Sequence, residues 1–128
     1  MYTYKAKLIR VIDGDTIEAS VDLGFGLRYQ MLIRLHGINT PETRTKNLKE
    51  KKAGIAAKKR LKALMDNSKG NFILESHGVG KYGRCLGVLF IDKTNINQLL
   101  INEGLAEEYK WLKIKKLSMT TQYGIRGL

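Results

Sequence analysis

The stretch that decides the fold spans residues 4–36 and reads YKAKLIRVIDGDTIEASVDLGFGLRYQMLIRLH. Apolar and polar residues alternate along much of it, and turn signals interrupt the alternation at Asp13-Gly14 and at residues 23–26. Alternation with a period of two is typical of a strand that buries one face. A short glycine turn between two such runs predicts a hairpin. Residues 4–36 therefore predict three consecutive antiparallel strands.

The alternation also predicts which side chains form the core. The first strand, Lys5–Ile12, leads into the Asp13-Gly14 turn, the second covers Thr16–Leu23, and the third ends at Gly37. One face of the second and third strands is apolar and is expected to point inward: Ile17, Ala19, Val21, Leu23, Tyr29, Met31, Ile33 and Leu35. The opposite face of the third strand carries Arg34, which is therefore expected on the polar side.

After residue 42 the pattern changes from strand to helix. Arg44–Lys52 is very basic and is predicted to be a mobile loop, and apolar residues then recur at helical spacing. The later predicted elements are a helix over residues 53–66, a strand over Phe72–Ser76, a glycine-rich loop over Gly78–Gly83, a strand over Arg84–Ile91 and a short helix ended by Gly104.

This order of elements predicts an α+β, mainly β fold. Three strands, a helix, two strands and a second helix suit a five-stranded OB-fold Greek-key barrel with two or three packed helices. An open α+β sheet fits the same order almost as well. The length of 128 residues predicts a single domain over residues 1–128, in which residues 112–128 form a basic tail of unassigned structure.

The charge balance favours a polyanionic partner. The chain has 23 Lys and Arg against 12 Asp and Glu, a net charge of +11, and a pI near 9.8. Such a surplus on a small domain points first to nucleic acid and second to an acidic membrane, although a basic surface that serves only solubility is the alternative. We expect DNA or RNA as the partner, no membrane and no protein partner, and a monomer.

Targeting signals give a weaker expectation. Cys85 is the only cysteine and lies in an apolar run, so it is expected to be a small buried hydrophobe in a chain without an internal disulfide. The N-terminus lacks the apolar core of a signal peptide, and no stretch reaches transmembrane length. The chain as given is expected to be cytoplasmic, or secreted if an export signal has been removed.

Four local features become informative only in combination. Asp15 follows a turn, Arg34 lies on a strand, Lys81–Arg84 reads as a turn, and Thr40-Pro41-Glu42 is typical of a helix start. Together they supply oxygen ligands for calcium or magnesium, a spare carboxylate and guanidinium groups that match phosphate oxygens. Phosphodiester hydrolysis needs those components. His36 and His77 have no paired His or Cys spacing, so zinc is not expected.

The order and spacing of five motifs resemble those of the staphylococcal nuclease family over about residues 5–111. The motifs are Ile12–Thr16, Ile33–Leu35, Asn39–Thr43, Lys81–Arg84 and Asn102–Ala106. The resemblance implies an OB barrel and calcium-dependent cleavage of DNA and RNA phosphodiesters with little sequence specificity.

The resemblance also implies a role for individual residues. Asp15 would be a calcium ligand, with Asn39 and the backbone carbonyl of Thr40 beside it. Glu42 would be the general base, and Arg34 and Arg84 would stabilise the phosphate as charge develops on it. The implied substrate contacts are Lys81, Tyr82, Tyr109 and Trp111, the last two as an aromatic pair that requires a one-residue gap in the alignment.

The chain departs from the family pattern in three places. Asn39 stands where the best-known member carries a second calcium-binding aspartate, and an amide brings no negative charge. We therefore expect weaker, more magnesium-tolerant metal binding. The basic loop differs in sequence, and the C-terminal helix of the family is not recognisable after Trp111.

Two functions fit this pattern. The first is an active metal-dependent nuclease, and the second is a catalytically inactive OB-fold module that only binds nucleic acid. Asp15, Arg34, Glu42 and Arg84 are all present, and a module that only binds has no use for the whole set. Activity is the favoured hypothesis.

Overall fold

The computed structural model describes residues 2–109, which form a closed five-stranded β-barrel with two α-helices packed against it. The strands are β1 (Tyr2–Asp13), β2 (Thr16–Gly24), β3 (Leu27–Leu35), β4 (Ile38–Asn39), β5 (Asn71–Val79), β6 (Cys85–Ile91), β7 (Thr94–Asn95) and β8 (Glu107–Glu108). The helices are α1 (Leu48–Asn67) and α2 (Ile96–Asn102), and Lys81–Gly83 forms one 3-10 turn. The predicted basic tail, residues 112–128, lies outside the described residues.

The barrel closes through one parallel pairing. The order of neighbouring strands is β3-β2-β1-β5-β6, and these pairs are antiparallel. β3 then pairs with β6 in parallel, with Ile33 opposite Cys85 and Leu35 opposite Gly87. This closure confirms the predicted OB-type α+β barrel, and the open sheet that fitted the pattern almost as well is not formed.

The predicted inward face is confirmed where the strands belong to the barrel. Ile17, Ala19, Ile33 and Leu35 are fully buried, and Val21 is 1% exposed. Two residues of the same predicted face are exposed instead, Leu23 at 46% and Tyr29 at 56%. The reason is that β2 continues beyond Val21, the last β2 residue paired with β1, so the end of the β2–β3 hairpin projects past the core.

α1 begins five residues earlier than the sequence predicts. Residues 48–52, predicted to belong to a mobile loop, form its first turns. The Asn47 side chain accepts hydrogen bonds from the backbone N–H groups of Lys49 and Glu50 at 3.0 and 3.2 Å. This N-cap satisfies donors that a helix end otherwise leaves unpaired. Asn47 was the sequence signal for this helix start. It was missed because the basic residues that follow it are typical of a loop.

Other boundaries differ by small amounts, and one of them concerns the site. The turn between β1 and β2 is Gly14-Asp15, not Asp13-Gly14, because Asp13 still pairs with Thr16. Asp15 therefore sits inside the turn and not at the start of a strand. Farther along, β5 continues to Val79, and Arg84 precedes β6 without belonging to it.

A buried amide ties α2 to the barrel. Asn97 is 4% exposed, and its Nδ2 donates to the backbone oxygens of His36 and Gly87 at 2.9 and 3.0 Å. Its Oδ1 accepts from the backbone N–H of Leu89 at 3.2 Å. Buried backbone groups are costly when unpaired. Asn97 thus fixes the end of β3 against β6, next to the predicted site, and sequence reasoning did not identify it.

Candidate functional site

The centre of the candidate site is Asp15, which accepts two hydrogen bonds at its carboxylate and one at its backbone oxygen. Asp15 is 8% exposed. Its Oδ1 accepts from the hydroxyl of Thr16 at 3.0 Å, and its Oδ2 accepts from the backbone N–H of Thr40 at 3.0 Å. Its backbone oxygen accepts from the N–H of Leu35 at 2.8 Å. The β1–β2 turn is thereby fixed to the end of β3 and to the segment that follows β4.

Arg34 links two predicted metal ligands. Its Nη2 lies 3.4 Å from Oδ2 of Asp15 and donates to Oδ1 of Asn39 at 3.1 Å. Its Nη1 donates to the backbone oxygen of Leu35 at 2.9 Å. Four predicted site residues from three sequence motifs are therefore joined by direct contacts: Asp15, Arg34, Asn39 and Thr40.

A groove of about 550 Å³ opens beside this network. Its lining includes Arg34, Asn39, Arg84 and Tyr109. The Nε of Arg84 is buried and has no hydrogen-bond partner within residues 2–109. A buried guanidinium N–H without a partner is costly. Such a group is suited to an anionic ligand such as phosphate.

A second cleft, of about 420 Å³, adjoins the groove at Asn39. Asn39, Thr40, Glu42 and Glu50 line part of it. The Glu42 side chain is exposed, and within the described residues it makes no hydrogen bond or ion pair. The carboxylate predicted as the general base is therefore accessible to water, at the edge of the Asp15 network.

α1 packs directly onto the segment that carries Glu42. A Cβ added to Gly54 would lie 2.7 Å from the backbone oxygens of both Pro41 and Glu42. A Cβ on Gly14 would lie 2.7 Å from the Cβ of Ala57. Gly14 in the β1–β2 turn and the backbone of Pro41 and Glu42 thus pack closely against the side of α1 that carries Gly54 and Ala57. No sequence pattern indicates this role for Gly54, since glycine is a poor helix former and its packing depends on residues of another segment.

Asp13 adds a second tie to the same segment. Its Oδ1 accepts a hydrogen bond from Oγ1 of Thr43 at 2.7 Å. Thr43 directly follows Glu42, so this bond fixes the chain on the far side of the predicted base. Asp13 was predicted only as a turn residue, because its partner Thr43 lies in a distant segment.

Some predicted substrate-binding residues are less closely associated with the groove. Tyr109 lines it, is 46% exposed, and donates its backbone N–H to Gly37 at 2.8 Å. Tyr82 is 92% exposed, and its ring centroid lies 5.8 Å from Cζ of Arg84. Lys81 belongs to the 3-10 turn, but its side chain is not among those described. Trp111 lies outside the described residues.

Two histidines, expected to be unremarkable, pack against each other. The rings of His36 and His77 stack with centroids 4.6 Å apart, and Nε2 of His77 lies 2.8 Å from Oε1 of Glu75. His36 also lines the groove. Their separation by forty residues in the chain left no local pattern from which this stacking was predictable.

The predicted ligands around Asp15 are oxygen atoms, which suit a hard cation, and only one of them belongs to a carboxylate. Within residues 2–109, no three His, Cys, Asp or Glu side chains are placed together as a metal-binding group. The predicted set instead combines one buried carboxylate, on Asp15, with the Asn39 amide and Thr40. The hydroxyl oxygen of Thr40 is buried and has no hydrogen-bond partner in the part of the chain described. Oxygen donors of this kind suit calcium or magnesium, and not zinc.

Two further observations concern the cysteine and the helices. Cys85 is buried, and burial raises the pKa of its thiol. This agrees with the expected role as a small hydrophobe. Neither helix in residues 2–109 has the length and apolar character needed to cross a membrane.

Comparison with known proteins points to one family. A sequence model described as "Staphylococcal nuclease homologue" matches residues 32–123. A thermonuclease from Staphylococcus hyicus is 35% identical over 100 residues, which cover 78% of this chain and 56% of that protein. A micrococcal nuclease from Shigella flexneri is 28% identical over 117 residues, which cover 84% of this chain and 60% of that protein.

A third relative is longer still. An SPbeta prophage-derived endonuclease from Bacillus subtilis is 33% identical over 101 residues, which cover 77% of this chain and 32% of that protein. The chain thus spans little more than half the length of the two relatives above, and about a third of this one.

Proposed function

Because the chain belongs to the staphylococcal nuclease homologue family, we propose that it is a calcium-dependent nuclease that hydrolyses phosphodiester bonds of DNA and RNA with little sequence specificity. Relatives named thermonuclease and micrococcal nuclease support this proposal. The net charge of +11 supports a nucleic-acid substrate as well.

The single observation that carries the proposal is the contact network of Asp15, Arg34, Asn39 and Thr40. Asp15, from the β1–β2 turn, meets Arg34 at the end of β3 and Thr40 after β4, and Asn39 joins them through Arg34. A structural ion pair needs only two of them. The groove beside the network adds Arg84, whose buried Nε lacks a partner within residues 2–109.

The arginines would bind the phosphate that is cleaved. Arg34 and Arg84 line the same groove. Guanidinium groups keep their charge at any working pH and donate two parallel hydrogen bonds to phosphate oxygens. Negative charge builds up on those oxygens in the transition state, so donors already in place stabilise it more than the ground state.

Glu42 would remove a proton from the attacking water. Its side chain is exposed in a cleft that meets the groove at Asn39. Gly54 and the Asp13–Thr43 hydrogen bond hold the backbone on both sides of it. A base must be held within reach of one water molecule, and this packing supplies the rigidity.

Asp15, Asn39 and the Thr40 carbonyl would hold the cation. When bound, calcium supplies positive charge that polarises the phosphate. Asn39 contributes an amide oxygen without negative charge, so binding would be weaker and would tolerate magnesium better than a site with a second carboxylate. Tyr109 and Trp111 would stack on a base or sugar, a contact worth about 1–3 kcal/mol per base. Lys81 and Tyr82 would contact a neighbouring phosphate.

The test is cleavage of plasmid DNA, single-stranded DNA and RNA with calcium, with magnesium and with a chelator. We expect cleavage with calcium and none with the chelator. Glu42→Gln is expected to lower the rate by about 10²- to 10⁴-fold, since it removes the base. Arg84→Ala is expected to lower it by about 10²- to 10³-fold, since it removes a donor to the transition state.

Glu107→Gln is the matched control for Glu42→Gln, because Glu107 also lines the cleft but has no role in the proposed chemistry. Its rate should stay near that of the unmodified protein. Tight binding of all three nucleic acids without cleavage under every metal condition would contradict the proposal and support a module that only binds.

A further inference from the structure

The exposed side of α1 carries a row of lysines. Lys51, Lys52, Lys59 and Lys62 are exposed, and Lys58 is half-buried. At about 100° per residue these five side chains fall within an arc of about 120°. We call this set the lysine face. The buried residues of α1, Gly54, Ala57, Leu61 and Met65, lie on a different side of the helix.

The lysine face is not neutralised within the part of the chain that the structure describes. None of its five side chains makes an ion pair or hydrogen bond to residues 2–109. Arg60, on the same helix, behaves differently, because it donates two hydrogen bonds to Glu103 at 2.7 and 2.9 Å. Asp66, one turn beyond Lys62, ends the row. The cost of gathering five like charges points to an external anion.

The lysine face starts at the candidate site. Glu50, in the first turn of α1, lines the cleft that also contains Glu42, and Lys51 follows it directly. From Lys51 to Lys62 the helix rises about 16 Å, at about 1.5 Å per residue. The row therefore leads away from the cleft along the axis of α1.

We propose that the lysine face of α1 binds the phosphate backbone of a nucleic-acid strand that extends out of the cleft. This inference rests on the proposed function, since it takes the cleft to hold nucleic acid. Positive grooves that follow the backbone are typical of sequence-tolerant binding to single strands. The face contains no aromatic residue on which a base could stack. It therefore raises the affinity for longer strands without favouring a particular base sequence.

The test compares oligonucleotides that fill only the cleft with ones that reach α1. Binding of single-stranded DNA of about 4 and about 16 nucleotides is measured by fluorescence anisotropy with a chelator present. Cleavage then plays no part in the result. The variant is Lys59→Gln/Lys62→Gln, at the end of α1 far from the cleft. The matched control is Lys5→Gln/Lys7→Gln, which removes two exposed lysines from β1.

We expect the α1 variant to weaken binding of the long oligonucleotide and to leave the short one unchanged. For a single strand, log affinity falls with log salt, and the loss of two phosphate contacts makes this fall shallower by about 1.4 in slope. Between about 50 and 200 mM salt, the unmodified protein then loses about sevenfold more affinity than the variant. The control should keep the full slope.

Equal slopes for the two double variants would overturn the inference, because the effect would then come from net charge alone. An equal loss for short and long oligonucleotides would overturn it too, since the lysines would then act on the cleft. Circular dichroism melting of both variants shows that they are folded. A protein that binds as expected but does not cleave with calcium would refute the proposed function and leave the lysine face standing as a binding surface.

Discussion

Nη2 of Arg34 lies 3.4 Å from Oδ2 of Asp15, and the two side chains are only 15% and 11% exposed. Two opposite charges so little exposed to solvent are weakly screened. Arg34 thus partly neutralises the carboxylate that is proposed to bind calcium. The same guanidinium is proposed to bind the phosphate, so its two roles compete for one position.

Removing the positive charge of Arg34 should affect phosphate cleavage and calcium binding in opposite directions. In Arg34→Gln we expect the cleavage rate to fall by about 10²- to 10³-fold, because a donor to the transition state is lost. Calcium affinity without substrate should rise, because a cation no longer stands beside Asp15. Titration calorimetry measures the affinity, and Arg28→Gln is the control, since Arg28 binds Ser20 on the β2–β3 hairpin. A parallel fall in affinity and rate would mean that Arg34 mainly holds the site together.

Asn39→Asp should strengthen calcium binding. The new carboxylate adds a negative charge beside Asp15, and we expect affinity to rise on the order of tenfold. Calcium should gain more than magnesium, because calcium accepts more carboxylate ligands. Asn71→Asp, an exposed change at the start of β5, controls for net charge. Unchanged affinity for both metals would show that position 39 is not a ligand.

Gly54→Ala should destabilise the protein even though alanine is the better helix former. Propensity alone predicts a gain of about 1 kcal/mol. The added Cβ, however, would lie 2.7 Å from the carbonyl oxygens of Pro41 and Glu42. We expect a net loss of about 1–3 kcal/mol in the free energy of unfolding. Cleavage should fall as well, because Glu42 is displaced.

Urea denaturation measures the stability of Gly54→Ala. Ala53→Gly, at an exposed position next to it, calibrates the propensity term and should cost about 1 kcal/mol. A more stable Gly54→Ala variant with normal activity would show that α1 has room to move away from the Glu42 segment.

The ion pair between Arg60 and Glu103 should make stability depend on pH in acid. Hydrogen bonds from Arg60 hold the pKa of Glu103 below its ordinary value of 4.5. The pair therefore stabilises the fold fully above that ordinary value, and the contribution is lost as the pH falls through the lowered pKa. The melting temperature of Glu103→Gln should lie below that of the unmodified protein at neutral pH and approach it in acid. A constant difference at all pH values would contradict this account.

The strand alternation predicted the barrel core because both depend on a local period. Ile17, Ala19, Ile33 and Leu35 alternate in the sequence and are fully buried in the structure. The prediction was wrong for Leu23 and Tyr29, because the period states which side a residue faces and not how far the covered part of the sheet extends. The start of α1 was missed for a different reason, because the Asn47 cap is a local signal but the basic residues after it were typical of a loop.

The sequence predicted which residues belong to the candidate site, but not the contacts that they make with one another. Motifs in register with a known family identified Asp15, Arg34, Asn39, Thr40 and Glu42. The roles of Gly54 and Asn97 followed only from the structure, because no local period or motif links either residue to the segment that it contacts.

By itself the sequence determined the strand meander, the inward faces, the basic charge and the motifs of the family, since these are properties of neighbouring residues and of composition. Only the tertiary structure decided that β3 pairs with β6 to close the barrel, and that Arg34 reaches both Asp15 and Asn39. It also placed the Glu42 backbone against Gly54 and left the lysine face of α1 exposed. These relationships depend on which distant segments pack together, and that is set by burial and hydrogen bonding across the whole fold.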